Sequence, residues 1–431
     1  PAQTVTFAIT GGADAAKFSI SSGGVLTFNA APDYEAPTDA GVDNVYNLTV
    51  TASDNADGTT TQNIAVTVTN VDEPISNTAP QITAFSSDSE CGSLAEGRTA
   101  NASATFTDPD LGDSFTALIN WGDGTTSLGT ISRSGANGTV SASHTYGQGG
   151  VYSVTLTLND AASATTFVTT TVMITGVRVA DGVLQIVGTD QIDRVNVSRN
   201  GHNRYKVVAR FGSQHSVGCD DDEDEQEDEW NDDGHDDNEH HGRGGQKFSQ
   251  TFNATSVQSI LVILCCGDDR ANIGGSVQIA ALLDGGDGDG DDRLNGGSGP
   301  NILIGDNGND RLIGGRGRDI LIGGLGCDRM VANGGEDILI AGQTSFDAQH
   351  TALSAIMSEW NSNRDFAGRV ANIRGTGSGP RLNGSYFLQT GVTVLNDGAA
   401  DKLTGSAGTD WFFFNTPQDR VTDLKNNEAQ N

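Results

Sequence analysis

Apolar and polar residues alternate in short runs from the start of the chain: Val5-Thr6-Phe7-Ala8-Ile9, Val25-Leu26-Thr27-Phe28, Tyr46-Asn47-Leu48-Thr49-Val50 and Ile64-Ala65-Val66-Thr67-Val68. Clusters of Gly, Asp and Asn separate them. A period of two puts alternate side chains on opposite faces of a strand, so residues 1–74 are predicted to form a β-sandwich. Residues 78–176 carry the same signature, clearest at Val154-Thr155-Leu156-Thr157-Leu158, and predict a second sandwich. Between 177 and 286 the pattern loosens. Leu184-Gln185-Ile186-Val187-Gly188 leads into Asp193-Arg194-Val195-Asn196-Val197, and Ile260-Leu261-Val262-Ile263 leads into Gly267-Asp268-Asp269-Arg270. Each reads as a strand followed by a Gly/Asp turn, as in irregular coils of a β-helix.

From Asp287 the alternation gives way to a nine-residue period. Units begin at Asp287, Gly296, Gly305, Gly314, Gly323 and Ala332. The fourth position is Gly290, Gly299, Gly308, Gly317, Gly326 and Gly335. The sixth is Asp292, Asn301, Asp310, Asp319, Asp328 and Asp337, and the eighth is Leu294, Leu303, Leu312, Leu321, Met330 and Leu339. These residues resemble the G-G-x-G-x-D-x-U-x nonapeptide of RTX calcium-binding proteins. The resemblance implies a parallel β-roll over 287–340, in which six residues turn, three form a strand, and two units complete one coil. Sixth positions would then stack as Asp292 with Asp310, Asn301 with Asp319, Asp310 with Asp328, and Asp319 with Asp337. Calcium takes six to eight oxygens, which paired carboxylates and turn carbonyls can supply. Glycine is expected in the turn because it accepts positive φ. Asn301 removes one carboxylate, so its rung is expected to bind most weakly. The period resumes at Gly398, Asp401 and Leu403, and again at Gly408, Asp410 and Phe412. Asp269, Asp401 and Asp410 are therefore added as expected ligands, with Trp411-Phe412-Phe413-Phe414 closing the roll. Asp287-x-Asp289-x-Asp291 opens like an EF-hand loop, but Asp292 and Ser298 stand where that loop needs Gly and Glu.

An 18-residue coil also sorts the outward positions. Units one, three and five present Arg293/Asn295, Arg311/Ile313 and Arg329/Val331; units two, four and six present Ile302/Ile304, Ile320/Ile322 and Ile338/Ile340. Six isoleucines on one outer face need a cover. A helix predicted from Phe346 to Asn361 supplies one, since Leu353, Ile356, Met357 and Trp360 fall at i, i+3, i+4 and i+7. Thr344 and Asp347 are spaced as its capping box. The expected fold is thus mainly β: two immunoglobulin-like sandwiches, an irregular β-helix, and a calcium-binding parallel roll. One covering α-helix and a repeat-like cap occupy 341–431.

In the first sandwich the carboxylates sit in turns. Asp33-Tyr34-Glu35, Ser53-Asp54-Asn55 and Asn70-Val71-Asp72-Glu73-Pro74 resemble the acidic motifs and linker of a bacterial cadherin-like repeat. That implies calcium ligands at Glu35, Asp54 and Asp72; acidic turn residues that are merely solvated are the competing reading. The family's opening strands are absent, so this domain is expected to be truncated and the chain cut from something longer, with any export signal upstream. In the second sandwich, Asp108-Pro109-Asp110, Trp121-Gly122-Asp123-Gly124-Thr125, His144-Thr145-Tyr146 and Gly150-Val151-Tyr152 resemble a PKD domain. The resemblance implies an immunoglobulin-like spacer or a weak binder of an extracellular protein or glycan. Trp121 is expected in the core, Asp123 bonding a turn, and His144 as a packing residue.

Charge narrows the partners. With 56 acidic and 24 basic residues the formal net charge is −32, which attracts divalent cations and repels nucleic acid and anionic lipid. The tract Asp220 to Glu239 has no apolar face beyond Trp230, so a disordered insertion over 220–245 is expected; His235, His240 and His241 there suggest at most loose cation binding. Gly numbers 57 without a G-X-Y triplet, which excludes collagen. Five cysteines cannot all pair within one chain. No stretch nears the roughly 18–20 apolar residues of a membrane span, so membrane insertion is not expected. The chain has no H-E-x-x-H, G-x-S-x-G or P-loop. The sequence therefore points to a calcium-binding, non-catalytic part of a secreted or cell-surface structural protein that folds on meeting calcium. The alternative is the non-catalytic tail of an exported hydrolase.

Overall fold

The computed structural model describes residues 4–71, 77–89, 91–213 and 245–430. It divides into two compact units, Pro1–Asn77 and Thr78–Asn431. Asp72 and the acidic tract lie outside the described residues.

In the first unit Val45–Ser53 pairs antiparallel with Thr6–Gly11 on one side and Thr59–Thr67 on the other. The hairpin Phe18–Ile20/Leu26–Phe28 packs over them. Phe18, Tyr46, Leu48 and Val50 form the core, the inward half of the alternation seen in the sequence.

The second unit opens with two four-stranded antiparallel sheets. Trp121 fills their core, and its indole donates to Ser127 Oγ at 2.9 Å. His144 stacks on Trp121 at 5.1 Å and bonds Asp123 at 2.7 Å; it is a packing residue. Asp123 also accepts the Thr125 N–H, as the turn requires.

The rest of this unit is one structure, not three. Two nine-stranded sheets run from Gly176–Ala180 to Ala429–Gln430. The irregular coils, the nonapeptide units and the C-terminal repeats share them, because beyond the antiparallel hairpins at the start each strand pairs parallel with one a coil away, whatever lies between. Leu294, Leu303, Leu312, Leu321, Met330 and Leu339 are fully buried between the sheets.

The segment between Ile338–Ile340 and Lys402–Thr404 is an insertion lying on the outside of one sheet. Its helix α1 (His350–Trp360) brings Leu353, Ile356, Met357 and Trp360 against the six outward isoleucines, as the pattern predicted. A second helix, α2 (Phe366–Arg374), completes the cover, so the single helix expected is two. The capping box forms a turn too early: Thr344 N–H donates to Asp347 at 2.7 Å, while the helix starts at His350. Asp347 is committed to Thr344, which leaves the intervening residues in a loop. The aromatic run does not close the roll either. Trp411 and Phe413 face the helices, Phe412 faces the core, and one more coil follows through Arg420–Val421 and Ala429–Gln430.

Spacing alone does not determine which cysteines pair. In the structure Cys91 and Cys265 form a disulfide, joining the sandwich to an early coil of the roll across 174 residues. The same junction holds Arg178 over the Tyr152 ring at 3.5 Å. Replacing both cysteines by serine is expected to cost about 2–5 kcal/mol in denaturant unfolding, because so long a loop regains its freedom in the unfolded chain. Unchanged stability would show the junction holds without the bridge.

Candidate metal centre

The sixth-position residues form two ladders. On one edge the N–H of each residue donates to Oδ1 of the next carboxylate: Asp292 to Asp310 at 2.7 Å, Asp310 to Asp328 at 2.8 Å, and Asp328 to Asp401 at 2.8 Å. On the other edge Asn301 donates to Asp319 at 2.7 Å, Asp319 to Asp337 at 2.8 Å, and Asp337 to Asp410 at 2.9 Å. All four expected pairs are stacked. The first ladder continues beyond them, from Asp193 to Asp269 and Asp269 to Asp292 at one end and from Asp401 to Asp419 at the other. Asp193 and Asp419 were not expected as members.

One oxygen of each carboxylate is thus used by the backbone. At the end rungs Asp193 and Asp419 the other is bonded too, by the N–H of Thr189 and of Asn415; between them it is mostly left over. Oδ2 of Asp269, Asp310, Asp319, Asp328, Asp337, Asp401 and Asp410 is buried without a hydrogen-bond partner among the described residues. An ionised carboxylate oxygen buried alone is costly, so such atoms call for a cation or a proton. The surroundings gather further oxygen. The space that a Cβ on Gly305 would fill lies 2.3 Å from Asp310 Oδ2 and 2.4 Å from the Gly323 carbonyl; at Gly323 the corresponding atoms are Asp328 Oδ2 and the Ala341 carbonyl. A donor set of carboxylate and carbonyl oxygen, with no sulfur or imidazole, suits a hard ion such as calcium.

Burial raises the ladder acids from Asp269 to Asp410. Asp292 and Asp337 are pushed up to about 9, Asp328 to about 8, and Asp310 and Asp319 to about 7, with neighbouring carboxylates adding to the effect at Asp292, Asp328 and Asp337. Asp269 rises to about 10 and Asp401 and Asp410 to about 7.

The glycines serve mainly to let coils touch. Gly308, Gly326 and Gly335 have φ of 132°, 124° and 142°, as expected. Gly290, Gly299 and Gly317 do not take positive φ. There a Cβ would lie 2.0, 2.3 and 2.2 Å from the carbonyl of Gly267, Ile279 and Gly299 respectively. Close approach, rather than a left-handed backbone, excludes a side chain.

Asn301 differs from its neighbours in more than charge. Its Nδ2 donates to the Gly299 carbonyl and to Asp319 Oδ1, each at 2.8 Å. The amide offers hydrogen to oxygens that an ion would otherwise share.

Of the ligands expected in the first unit, Glu35 and Asp54 belong to no cluster of acidic, His or Cys ligand atoms among the described residues. Glu35 is exposed, and Asp54 accepts the N–H groups of Ala56 and Gly58, both at 3.0 Å. Among the described residues the only three acidic, His or Cys side chains with ligand atoms within 4.8 Å of one another are Asp108, Asp113 and Asp160 in the second sandwich. Burial, together with Asp108 and Asp160, raises Asp113 above the ordinary carboxylate value. The loop between strands Thr99–Thr107 and Phe115–Asn120 supplies Asp108 and Asp113, and the end of strand Gly150–Asp160 supplies the third, so spacing alone does not reveal the trio.

Among the described residues no helix is long and apolar enough to cross a membrane, which says nothing of β-barrels. Family models match a PKD domain over 77–175 and RTX calcium-binding nonapeptide repeats over 286–321 and 313–343. No curated relative matches the chain. Solved structures with local likeness include the PKD1 domain of Vibrio anguillarum Epp, at 22% identity over 23% of this chain and 95% of that one, with a TM-score of 0.17. The PKD domain of an M14-like peptidase from a Thermoplasmatales archaeon is 29% identical over 23% and 98%, at 0.20. Cadherin domains 1–4 of protocadherin gamma B7 are 20% identical over 40% of each chain, also at 0.20. PKD and RTX-repeat domains occur in exported proteins and are themselves non-catalytic. The chain carries a PKD domain followed by RTX calcium-binding repeats.

Proposed function

We propose that the two aspartate ladders bind calcium along both edges of the roll, and that the chain is a structural or adhesive segment of an exported protein whose roll sets only outside the cell. The observation that carries this reading is the row of buried Oδ2 atoms without partners. Asp292, Asp310, Asp328 and Asp401 would hold ions on one edge and Asp319, Asp337 and Asp410 on the other, with turn carbonyls completing each shell. Calcium supplies positive charge between coils; the chain's own residues fix where that charge can sit. Extracellular modules bind calcium at about 10⁻⁴–10⁻³ M, above cytosolic levels, so such a roll stays open until export.

Calorimetric titration of the full chain should show several calcium ions bound and little heat with Mg²⁺, which is smaller and sheds water reluctantly. Absence of calcium binding would end the proposal. Asn301→Asp removes the amide hydrogens from the Gly299 and Asp319 oxygens. It should add one ion to the stoichiometry or tighten the weakest step about tenfold. A weaker calcium affinity in that variant would contradict the role given to Asn301.

A further inference from the structure

The roll carries a second ladder, of opposite sign, on its outside. In the sheet not covered by the helices, Arg194 pairs in register with Arg270, Arg270 with Arg293, and Arg293 with Arg311. Arg311 pairs with Arg329, Arg329 with Lys402, and Lys402 with Arg420. Beyond Arg194 the antiparallel strands extend the row through Arg210 to Lys247. Each of the nine strands thus contributes one cation, every one exposed. At about 4.8 Å between strands the row is roughly 38 Å long. The strands place no Asp or Glu on that face; beside the row stand Asn196, Asn272 and Asn295, then Ile313, Val331 and Thr404.

Like charges directly opposite each other weaken a sheet. The buried aspartates do not relieve them. Each cation from Arg270 to Arg420 follows its aspartate by one residue, so the two point to opposite faces. Among the described residues no ion pair links Arg293, Arg311, Arg329, Lys402 or Arg420 to the ladder, and these five make no side-chain hydrogen bond. In a chain of net charge −32, nine of the 24 basic residues stand in one file.

We propose that this face docks a linear acidic polysaccharide, with carboxylate or sulfate groups on successive sugars meeting successive rungs. Charge complementarity selects a polyanion, and arginine, which fills most rungs, grips carboxylate and sulfate oxygens two at a time. Two features disfavour nucleic acid. The face has no aromatic platform for bases, and duplex phosphates step at about 3.4 Å along each strand, out of register with rungs about 4.8 Å apart.

The test is titration of the full calcium-loaded chain with dextran sulfate, with hyaluronate and with uncharged dextran, between about 50 and 200 mM salt. Binding to either acidic polymer, weakening with salt, and none to dextran is expected; which one binds identifies the sulfate or the carboxylate. The triple variant Arg293→Gln, Arg311→Gln, Arg329→Gln should lose about tenfold or more in affinity and show a shallower salt slope. The set Lys17→Gln, Arg98→Gln, Arg316→Gln removes equal charge off the row and should bind like the native chain. Lysine at 293, 311 and 329 should retain part of the affinity, and circular dichroism should show all variants folded. The proposal is overturned by no binding to either acidic polymer, by equal losses in the two glutamine sets, or by tighter binding of oligothymidylate than of both.

Discussion

Chelating calcium at neutral pH is expected to abolish the thermal transition of the roll while leaving that of the PKD sandwich. The reason lies in the ladder carboxylates. Their ordinary value is 3.8, and burial carries Asp310 and Asp319 to about 7, Asp328 to about 8, and Asp292 and Asp337 to about 9 in the folded, ion-free chain. A group raised on folding holds its proton more tightly in the folded state. Its stabilising contribution is complete below the unfolded value and is lost as pH rises through the folded one. Without calcium the roll should therefore be most stable near pH 4 and lose stability progressively up to about pH 9. With calcium the trend reverses, because the ion binds only deprotonated carboxylate. Melting curves at several pH values, in chelator and in excess calcium, would show two profiles of opposite slope. Identical curves in chelator and calcium across that range would remove the ladder from any account of folding.

The second large effect is expected at Trp360. Its side chain is fully buried, and its indole donates to the Glu336 carbonyl at 2.7 Å. The ring lies 6.1 Å from Trp411 and beneath the Arg369 guanidinium at 5.0 Å. Trp360→Ala opens a cavity where α1, α2 and the isoleucine sheet meet, and should cost about 3–5 kcal/mol. The loss should reach the metal ladder, because Glu336 immediately precedes Asp337. Calcium affinity is therefore expected to fall along the covered edge. Ser354→Ala, on the exposed side of α1, should stay within about 0.5 kcal/mol of the native chain. Should Trp360→Ala cost no more than Ser354→Ala, the helices would be ornaments rather than a cover.

What the sequence reveals and what it hides follow one rule: each run of the repeat is legible, Asp401 and Asp410 included, but which rung stacks on which across an insertion is not. The rungs from Asp292 to Asp337 recur every 18 residues within each ladder and are plain to read. The steps from Asp193 to Asp269 and from Asp328 to Asp401 are 76 and 73 residues, so no fixed spacing links them. Another signal was available. Asp193-Arg194, Asp269-Arg270 and Asp419-Arg420 repeat the Asp-Arg pair of the regular units. The pair marks one strand type by its inward carboxylate and outward cation. Helix α2 escaped for a different reason. It buries Arg369 and Asn372 beside Val370 and Ile373, so it has no wholly apolar stripe. Its ends were signalled nonetheless by Asp365, which caps Gly368 N–H, and by Gly375 at φ 82°.

Those unequal steps have a wider meaning. Lengthening a closed loop from 18 to 73 residues costs only about 1.2 kcal/mol in chain entropy, while the strand on either side of it pairs as before. New sequence can therefore enter between windings without disturbing the stack, and the helical cover is one such guest. A scaffold of this kind grows by splicing as readily as by lengthening, and foreign peptides grafted where that guest enters should be carried at little expense to the windings above and below.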